Sequence, residues 1–416
     1  MSTTRTLTAR RTWLMPILLV AGLAAALPAV YLSATANPQG NVMDLPVALV
    51  VEAQDAVAGP PAAEQVAAAI EAGAGEAIAF TTMTSDELAE AMHEDRVAGA
   101  VVIPEGFDAA IASLYPGAAA SVVPSVKIAT NAGDGGLSNG LVTGNLTPVL
   151  RGVAEAFGAE LINHASGALP PANVALLSAP FHVEVGPYEP LPDNSGLGTS
   201  AFYFALVLVL VAFIGASLVN PLVDSALGVI PSELGPLIAR QPYTAVSRRQ
   251  TFVAKAVILT AASPLAAAAA LGVAAAFGVS ASNELVLWLF ATAVIAAIGT
   301  SALAVFAVLG PGIGALVNTL FFVAIAMVSF GGIVPLQAAP PFFRAVSEFS
   351  PFRHVVEGVR SLFYFDGNLA AGLGQAWISV AVGGAVGIAL GLVVTTVYGR
   401  VKRFSRHPRP AAAVSR

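Results

Sequence analysis

The chain has 416 residues, 56% of them hydrophobic and only 11% charged, with a mean hydropathy of +0.78. A soluble domain carries about a quarter charged residues, so this composition excludes an ordinary soluble protein and puts the chain in a membrane. The sequence holds no cysteine, which rules out a disulfide framework, a thiolate metal site and a thiol nucleophile. The net charge of −6 hides a division: residues 34–196 hold 3 Lys/Arg against 19 Asp/Glu, a net −16, and the remainder carries +10. Charge sorts in this way across a bilayer.

Residues 1–11 carry Arg5, Arg10 and Arg11 and read as a cytoplasmic N-terminus. The apolar run that follows is about 20 residues long, enough to span a hydrocarbon core of roughly 30 Å, and predicts a first transmembrane helix over 12–33. Ala34-Thr35-Ala36 has the form of a small-residue cleavage site and Arg10-Arg11 that of a twin-arginine signal. The run exceeds the roughly 7 to 15 residues of a signal's apolar core, so the expectation is a retained anchor.

Residues 34–198 contain no spanning run, and short apolar stretches alternate there with helical patterns, which predicts an extracytoplasmic α/β domain. Strands are expected at 46–51 and 99–103, with further candidates at 77–80 and 122–129. Helices are expected at 62–72, at 85–96 behind a Thr84/Glu87 capping box, at 106–114 and at 137–164. The Gly-, Asn- and Pro-rich stretches 131–136 and 187–198 read as a loop and a linker.

Within residues 199–399, apolar runs at 201–219, 252–277, 285–309, 313–330 and 373–398 predict five more spans. The connection 220–251 holds Arg240, Arg248 and Arg249, and residues 400–416 form a basic tail. Lys/Arg excess marks the cytoplasmic side, so six spans put both termini and the 220–251 loop inside and the acidic domain outside. The expected fold class is an α-helical polytopic membrane protein of six transmembrane helices with an extracytoplasmic α/β domain between the first and second.

Between the fifth and sixth runs, residues 332–367 read as a re-entrant outer segment. It is broken by Gly331-Gly332, Pro335, Pro340-Pro341 and Pro351. Past Pro351 the residues Phe352, Val355, Val356, Val359, Leu362 and Phe363 recur at helical spacing, which predicts an amphipathic helix lying in or against the interface.

Several residues are candidates for function, each with two readings. In the 220–251 loop, Pro231-Ser232-Glu233 offers a helix start with Ser232 as its cap. Glu233, Arg240, Arg248 and Arg249 form a contact for an ATPase subunit or, for the arginines, anchors to anionic membrane lipids. In the outer segment, Arg353, Glu357 and Arg360 are spaced to pair on one helix face, whereas Arg353, His354 and Arg360 could instead meet lipid head groups or an anionic substrate at an outer mouth. Asn318 and Thr319, the main polar residues of the fifth run, serve helix packing or line a path. Gly383, Gly387 and Gly391 make a small-residue ridge that seats either a neighbouring helix or a second copy.

The later runs hold no Asp, Glu or Arg, and Lys255 falls one turn from a cytoplasmic end, where it can snorkel; this argues against a proton relay. The five histidines lack ligand spacing, no hydrolase or metalloprotease motif occurs, and no phosphate loop precedes any of the three lysines Lys127, Lys255 and Lys402. The expectation is therefore no enzyme, no metal, no cofactor and no nucleic acid, with any ATP hydrolysis coming from a separate chain.

The arrangement of one span, a large outer domain and five spans, with Gly331-Gly332-Ile333-Val334-Pro335-Leu336 followed by Ser350-Pro351-Phe352-Arg353-His354, resembles the ABC-2 type permeases. Leu45-Pro46-Val47-Ala48-Leu49-Val50, Ser85-Asp86-Glu87-Leu88 and Gly99-Ala100-Val101-Val102-Ile103-Pro104-Glu105-Gly106 look like the outer domain of the YhgE/Pip subgroup, without the long helical insertion of its larger members. The resemblance implies a membrane permease that exports a lipid, drug-like or cell-envelope molecule, driven by a separate ATP-binding subunit and working as a homodimer. The subgroup also implies an alternative, a non-transporting surface scaffold or receptor.

Overall fold

The computed structural model describes residues 10–35, 37–52, 61–116, 122–165, 169–234, 236–325, 334–348, 350–401 and 404. Gly331-Gly332-Ile333, the expected break after the fifth run, lies outside them. The first helix, α1, spans Arg10–Thr35.

The polar half of the chain builds one five-stranded sheet from β1 (Leu45–Val51), β2 (Ile78–Thr82), β3 (Gly99–Ile103), β4 (Ser125–Thr130) and β5 (His182–Pro187), in the order β2-β1-β3-β4-β5. β1 runs parallel to β2 and β3, β4 turns antiparallel to β3, and β5 lies parallel to β4. The helices are α2 (Ala62–Gly73), α3 (Ser85–His93), α4 (Phe107–Ala112), α5 (Gly136–Asn163) and α6 (Pro171–Leu177).

Alternation along the strands sorts them into layers. Val47, Leu49, Val101, Ile103 and Ile128 face α2, α4 and α5, while Ala48, Val50, Ala100 and Ala129 face Leu88, Ala91 and Met92 of α3. A strand covered on both faces reads as a continuous apolar run, which is why residues 45–51 were legible. β5 has mostly exposed side chains and an acidic residue, Glu184, so no apolar signal marked it. The Thr84/Glu87 capping box forms as expected.

Four helices among the described residues are long and apolar enough to cross a membrane: α7 (Ser200–Ala226), α8 (Arg248–Ala276), α9 within Glu284–Phe322, and a fourth, Leu369–Arg400, that contains α12 (Gly374–Arg400). A shorter apolar helix, Ile17–Ser33, lies within α1. The runs expected at 285–309 and 313–330 share one of these, since α9 (Glu284–Asn318) continues into a π-helical turn, Thr319–Ile325. The two are nevertheless separate arms. Gly310 adopts φ 77° and ψ 174°, Gly314 packs on Phe306, and Asn318 Nδ2 donates to the Ala302 carbonyl at 3.1 Å, so the chain reverses at Gly310-Pro311 and returns along itself. Half of the most apolar stretch of α9 is buried by protein, against 17% for α8 and 22% for the fourth helix, so α9 is the central post.

The outer segment differs from expectation. α10 (Pro341–Ser347) and the residues before it put Val334, Ala338, Ala339 and Phe343 into the core of the sheet domain, and the Met43 amide donates to the Gln337 carbonyl at 3.1 Å. α11 (Pro351–Tyr364) buries Phe352, Val355, Val356, Val359, Leu362 and Phe363 in the helical core, where Phe352 and Phe363 meet Phe202 and Phe204 of α7 with ring centroids 5.5 Å apart. The amphipathic pattern was real, but its apolar face is covered by protein, not lipid.

A second correction concerns the 220–251 loop. Its expected helix start is instead the first strand of a hairpin, β6 (Ser232–Leu234) paired antiparallel with β7 (Leu237–Ala239). Pro236 would stand inside such a helix without an amide to donate, and it forces the chain to turn.

Candidate functional site

Two polar centres sit at opposite ends of the helical bundle. The domain-side centre is built on α11. Arg360 is 7% exposed; its Nη1 lies 3.2 Å from Asp134 Oδ1 and 3.8 Å from Asp95 Oδ2, and Nη2 donates to the Asp134 carbonyl at 3.3 Å. Asp134 follows β4 and Asp95 follows α3, so one guanidinium ties the bundle to both sides of the sheet. Asn131 Nδ2 braces Asp95 Oδ1 at 3.1 Å and donates to the Met92 and Val97 carbonyls. Burial first, and the Asp134 carboxylate second, push Asp95 well above the usual carboxylate range, although Arg360 pulls it down.

One turn earlier, Glu357 accepts from Arg353 Nε at 2.7 Å and lies 3.1 Å from His354 Nδ1. Burial alone would raise Glu357, but the hydrogen bond from His354 and the charge of Arg353 outweigh it and hold Glu357 below the usual range. The Arg353/Glu357 pairing was legible from spacing. The expected Glu357/Arg360 pair does not form, because Arg360 points to the domain. These side chains border a cavity of about 140 Å³ closed on its other side by Leu45, Pro46 and Ala98. Tyr364 completes the junction: its hydroxyl donates to the Ser195 carbonyl at 3.1 Å and accepts from the Ala201 amide at 3.3 Å.

At the far end, Lys255 does not snorkel. It is 5% exposed, with Nζ 2.7 Å from both Asp224 Oδ1 and Asn220 Oδ1. Asp224 escaped the sequence reading because α7 continues through Pro221 beyond the apolar run at 201–219. Arg248 opens α8 beside the Ser247/Gln250 capping box, donates to the Phe404 carbonyl from Nε (3.1 Å) and Nη2 (2.7 Å), and lies 6.0 Å over the Tyr398 ring. Arg240 and Arg249 are exposed, and Glu233 is in β6.

The remaining candidates sit in helix contacts. Asn318 is fully buried in the α9 reversal, and Thr319 donates to the Ala315 carbonyl at 2.8 Å within its own helix. A side chain at Gly387 would strike Ser301 and one at Gly391 the Phe252 ring, whereas Gly383 has open space beside it. Among the described residues, no group of His, Cys, Asp and Glu could hold a metal ion.

An apolar bundle carrying a sheet domain on one end and charged loops on the other defines a multi-pass membrane protein. A family described as ABC-2 family transporter protein matches residues 11–393, and the chain belongs to that family. Its role is therefore in membrane transport; the family is one of transporter permeases, not enzymes, and such permeases typically work with a separate ATPase subunit. No curated protein and no solved structure matches the chain.

Proposed function

We propose that this chain is the permease subunit of an exporter that moves a lipid, drug-like or cell-envelope molecule outward, with energy from a separate ATP-binding subunit, and that within its family it is nearest to the YhgE/Pip subgroup. The observation that carries this reading is α11. The helix is shared between the bundle core and the charged junction with the sheet domain, so a movement of the bundle is transmitted to the domain.

Six spans, formed by α1, α7, α8, the two arms about Gly310 and α12, leave the acidic domain outside and both termini inside. The far end supports this orientation, since Arg240, Arg248, Arg249 and Arg400 gather there. The hairpin β6–β7 with Arg240 and Arg249 gives an ATPase subunit an exposed surface, set among anionic lipids, and the lightly covered faces of α8 and α12 leave room for a second copy. In this reading Asn318, Thr319, Gly387 and Gly391 hold helices together.

The test is functional. Purified protein alone hydrolyses no ATP and acquires an ATPase on co-purification from its own cells; cells lacking the chain lose export of, or tolerance to, specific amphiphilic compounds. Unchanged export in such cells would reject the transport role.

A further inference from the structure

On the sheet domain, α2 and α5 enclose an open groove of about 590 Å³. That volume falls within the roughly 300–1,000 Å³ of small-molecule sites. The two helices run antiparallel. A side chain at Gly73 would meet Val149 at 3.1 Å, while Gln65, early in α2, and Glu160, late in α5, line the opposite end. At a helical rise of about 1.5 Å per residue, the groove is about 12 Å long from Gln65 to Gly73.

Its two ends differ in chemistry. Val66, Val153 and Phe157 form a buried apolar floor, and a side chain at Gly152 would meet nothing within 4 Å, so the space above that floor is open. Small residues alone would mark only a solvated helix face. Glu160 gives the groove a direction, because it is the one ionisable residue that lines it, and it shares its end with Gln65. Among the described residues the Glu160 carboxylate forms no ion pair.

Size and charge select the occupant. A partner helix about 10 Å wide would cover roughly 120 Å² of this groove, far short of the roughly 800 Å² that each side of a specific protein interface buries. A second copy of the domain is disfavoured further, since residues 34–196 carry a net −16. A bare cation would leave the apolar floor uncovered, and a fatty acid would set its carboxylate against Glu160. An alkyl chain that ends in a cation suits both ends.

We propose that the groove between α2 and α5 binds an amphiphile with an ammonium head group, the ammonium on Glu160 and Gln65 and the alkyl chain along Val66, Val153 and Phe157. The assignment of that amphiphile as the exported class rests on the exporter reading above; binding itself does not.

The full chain in a neutral detergent is titrated by calorimetry with octylammonium, with octanol and with octanoate. Each heat is taken against Gly152→Leu in the same detergent, which fills the groove and cancels uptake by the micelles. Saturable binding is expected for octylammonium, with octanol about fivefold weaker and octanoate weaker still. Glu160→Gln should weaken octylammonium by about fivefold, the upper worth of an exposed ion pair. Glu155→Gln, on α5 but outside the groove, should leave it unchanged. Equal binding by wild type and Gly152→Leu would overturn the site. Octanoate binding as tightly as octylammonium would overturn the ammonium head, and so would equal affinity of Glu160→Gln and Glu155→Gln, which reduces the effect to diffuse attraction by an acidic domain. Should Gly152→Leu fail to fold, a photoactivatable alkylamine on the wild type decides: crosslinks within residues 65–73 and 148–160 support the proposal, and crosslinks elsewhere reject it. Because no ATPase or transport enters these measurements, a missing ATPase partner leaves this result standing, and failed binding leaves the exporter reading standing.

Discussion

Both ends of the bundle bury charge, and they use it for different purposes. At the domain end one arginine, Arg360, serves two carboxylates, Asp95 and Asp134, that belong to another layer of the molecule. At the far end one lysine, Lys255, meets one carboxylate from the adjacent helix, and a further cation, Arg248, stands beside them. The first centre joins parts of the chain far apart in sequence; the second joins two neighbouring helices and borders a cavity. The layers that the paired groups come from therefore distinguish the two centres more clearly than burial does, since both are buried.

The largest expected effect is on the first centre. Arg360→Ala leaves Asp95 and Asp134 facing each other with no cation between them, and should cost about 3–5 kcal/mol, read as a fall in the thermal midpoint of the purified protein. It should also expose the 187–198 linker to protease. Lys255→Met takes the lysine from a single carboxylate, that of Asp224, so the loss should be smaller, about 3 kcal/mol, and Lys255→Met with Asp224→Asn should recover most of it. A double variant as unstable as the single one would mean that the far-end pair is held by more than its own charges.

Packing changes come next. Gly391→Val drives a branched side chain into the Phe252 ring and should cost about 1–3 kcal/mol. Gly383→Ala, about two turns earlier on the same ridge but beside open space, should stay within about 0.5 kcal/mol. If Gly383 proved the more sensitive position, the ridge would be a seam between copies.

The smallest effect is a slope with pH. Asp95 titrates above the usual aspartate value of about 3.9, so between that value and its raised one the folded protein holds a proton that the unfolded chain has lost. Stability from this group is present at low pH and falls as pH rises through the window. Asp95→Asn should flatten that part of the stability-versus-pH curve. Glu357 acts in the opposite sense: its pKa is lowered, so its contribution is present above the ordinary glutamate value and lost as pH falls through the lowered one.

Much of the fold was legible because its signals are local. β1 and β3 are buried on both faces and read as apolar runs, and α3 announces itself with a capping box. α11 was legible as a helix with an apolar stripe, but the identity of what covers that stripe is not a local property. β5 was missed because an exposed edge strand needs only backbone pairing with β4 and leaves no hydrophobic pattern. The 231–239 stretch was misread because the cap at Ser232 was weighed without Pro236 four residues on.

The site divides in the same way. Arg353 and Glu357 are four residues apart on one helix, and their geometry follows from helical spacing alone. Arg360 and Asp134 are 226 residues apart, and in a domain with 19 carboxylates no spacing rule selects one partner. The sequence by itself determined that this chain is a membrane protein with an acidic sheet domain between apolar runs, because hydropathy, charge and capping act over one or two turns of chain. Only the tertiary structure decided that α11 is roofed by that domain, that Lys255 is buried against Asp224, and that the chain reverses at Gly310. Each of these depends on which distant surface arrives to exclude water, and that is settled by packing the whole chain at once.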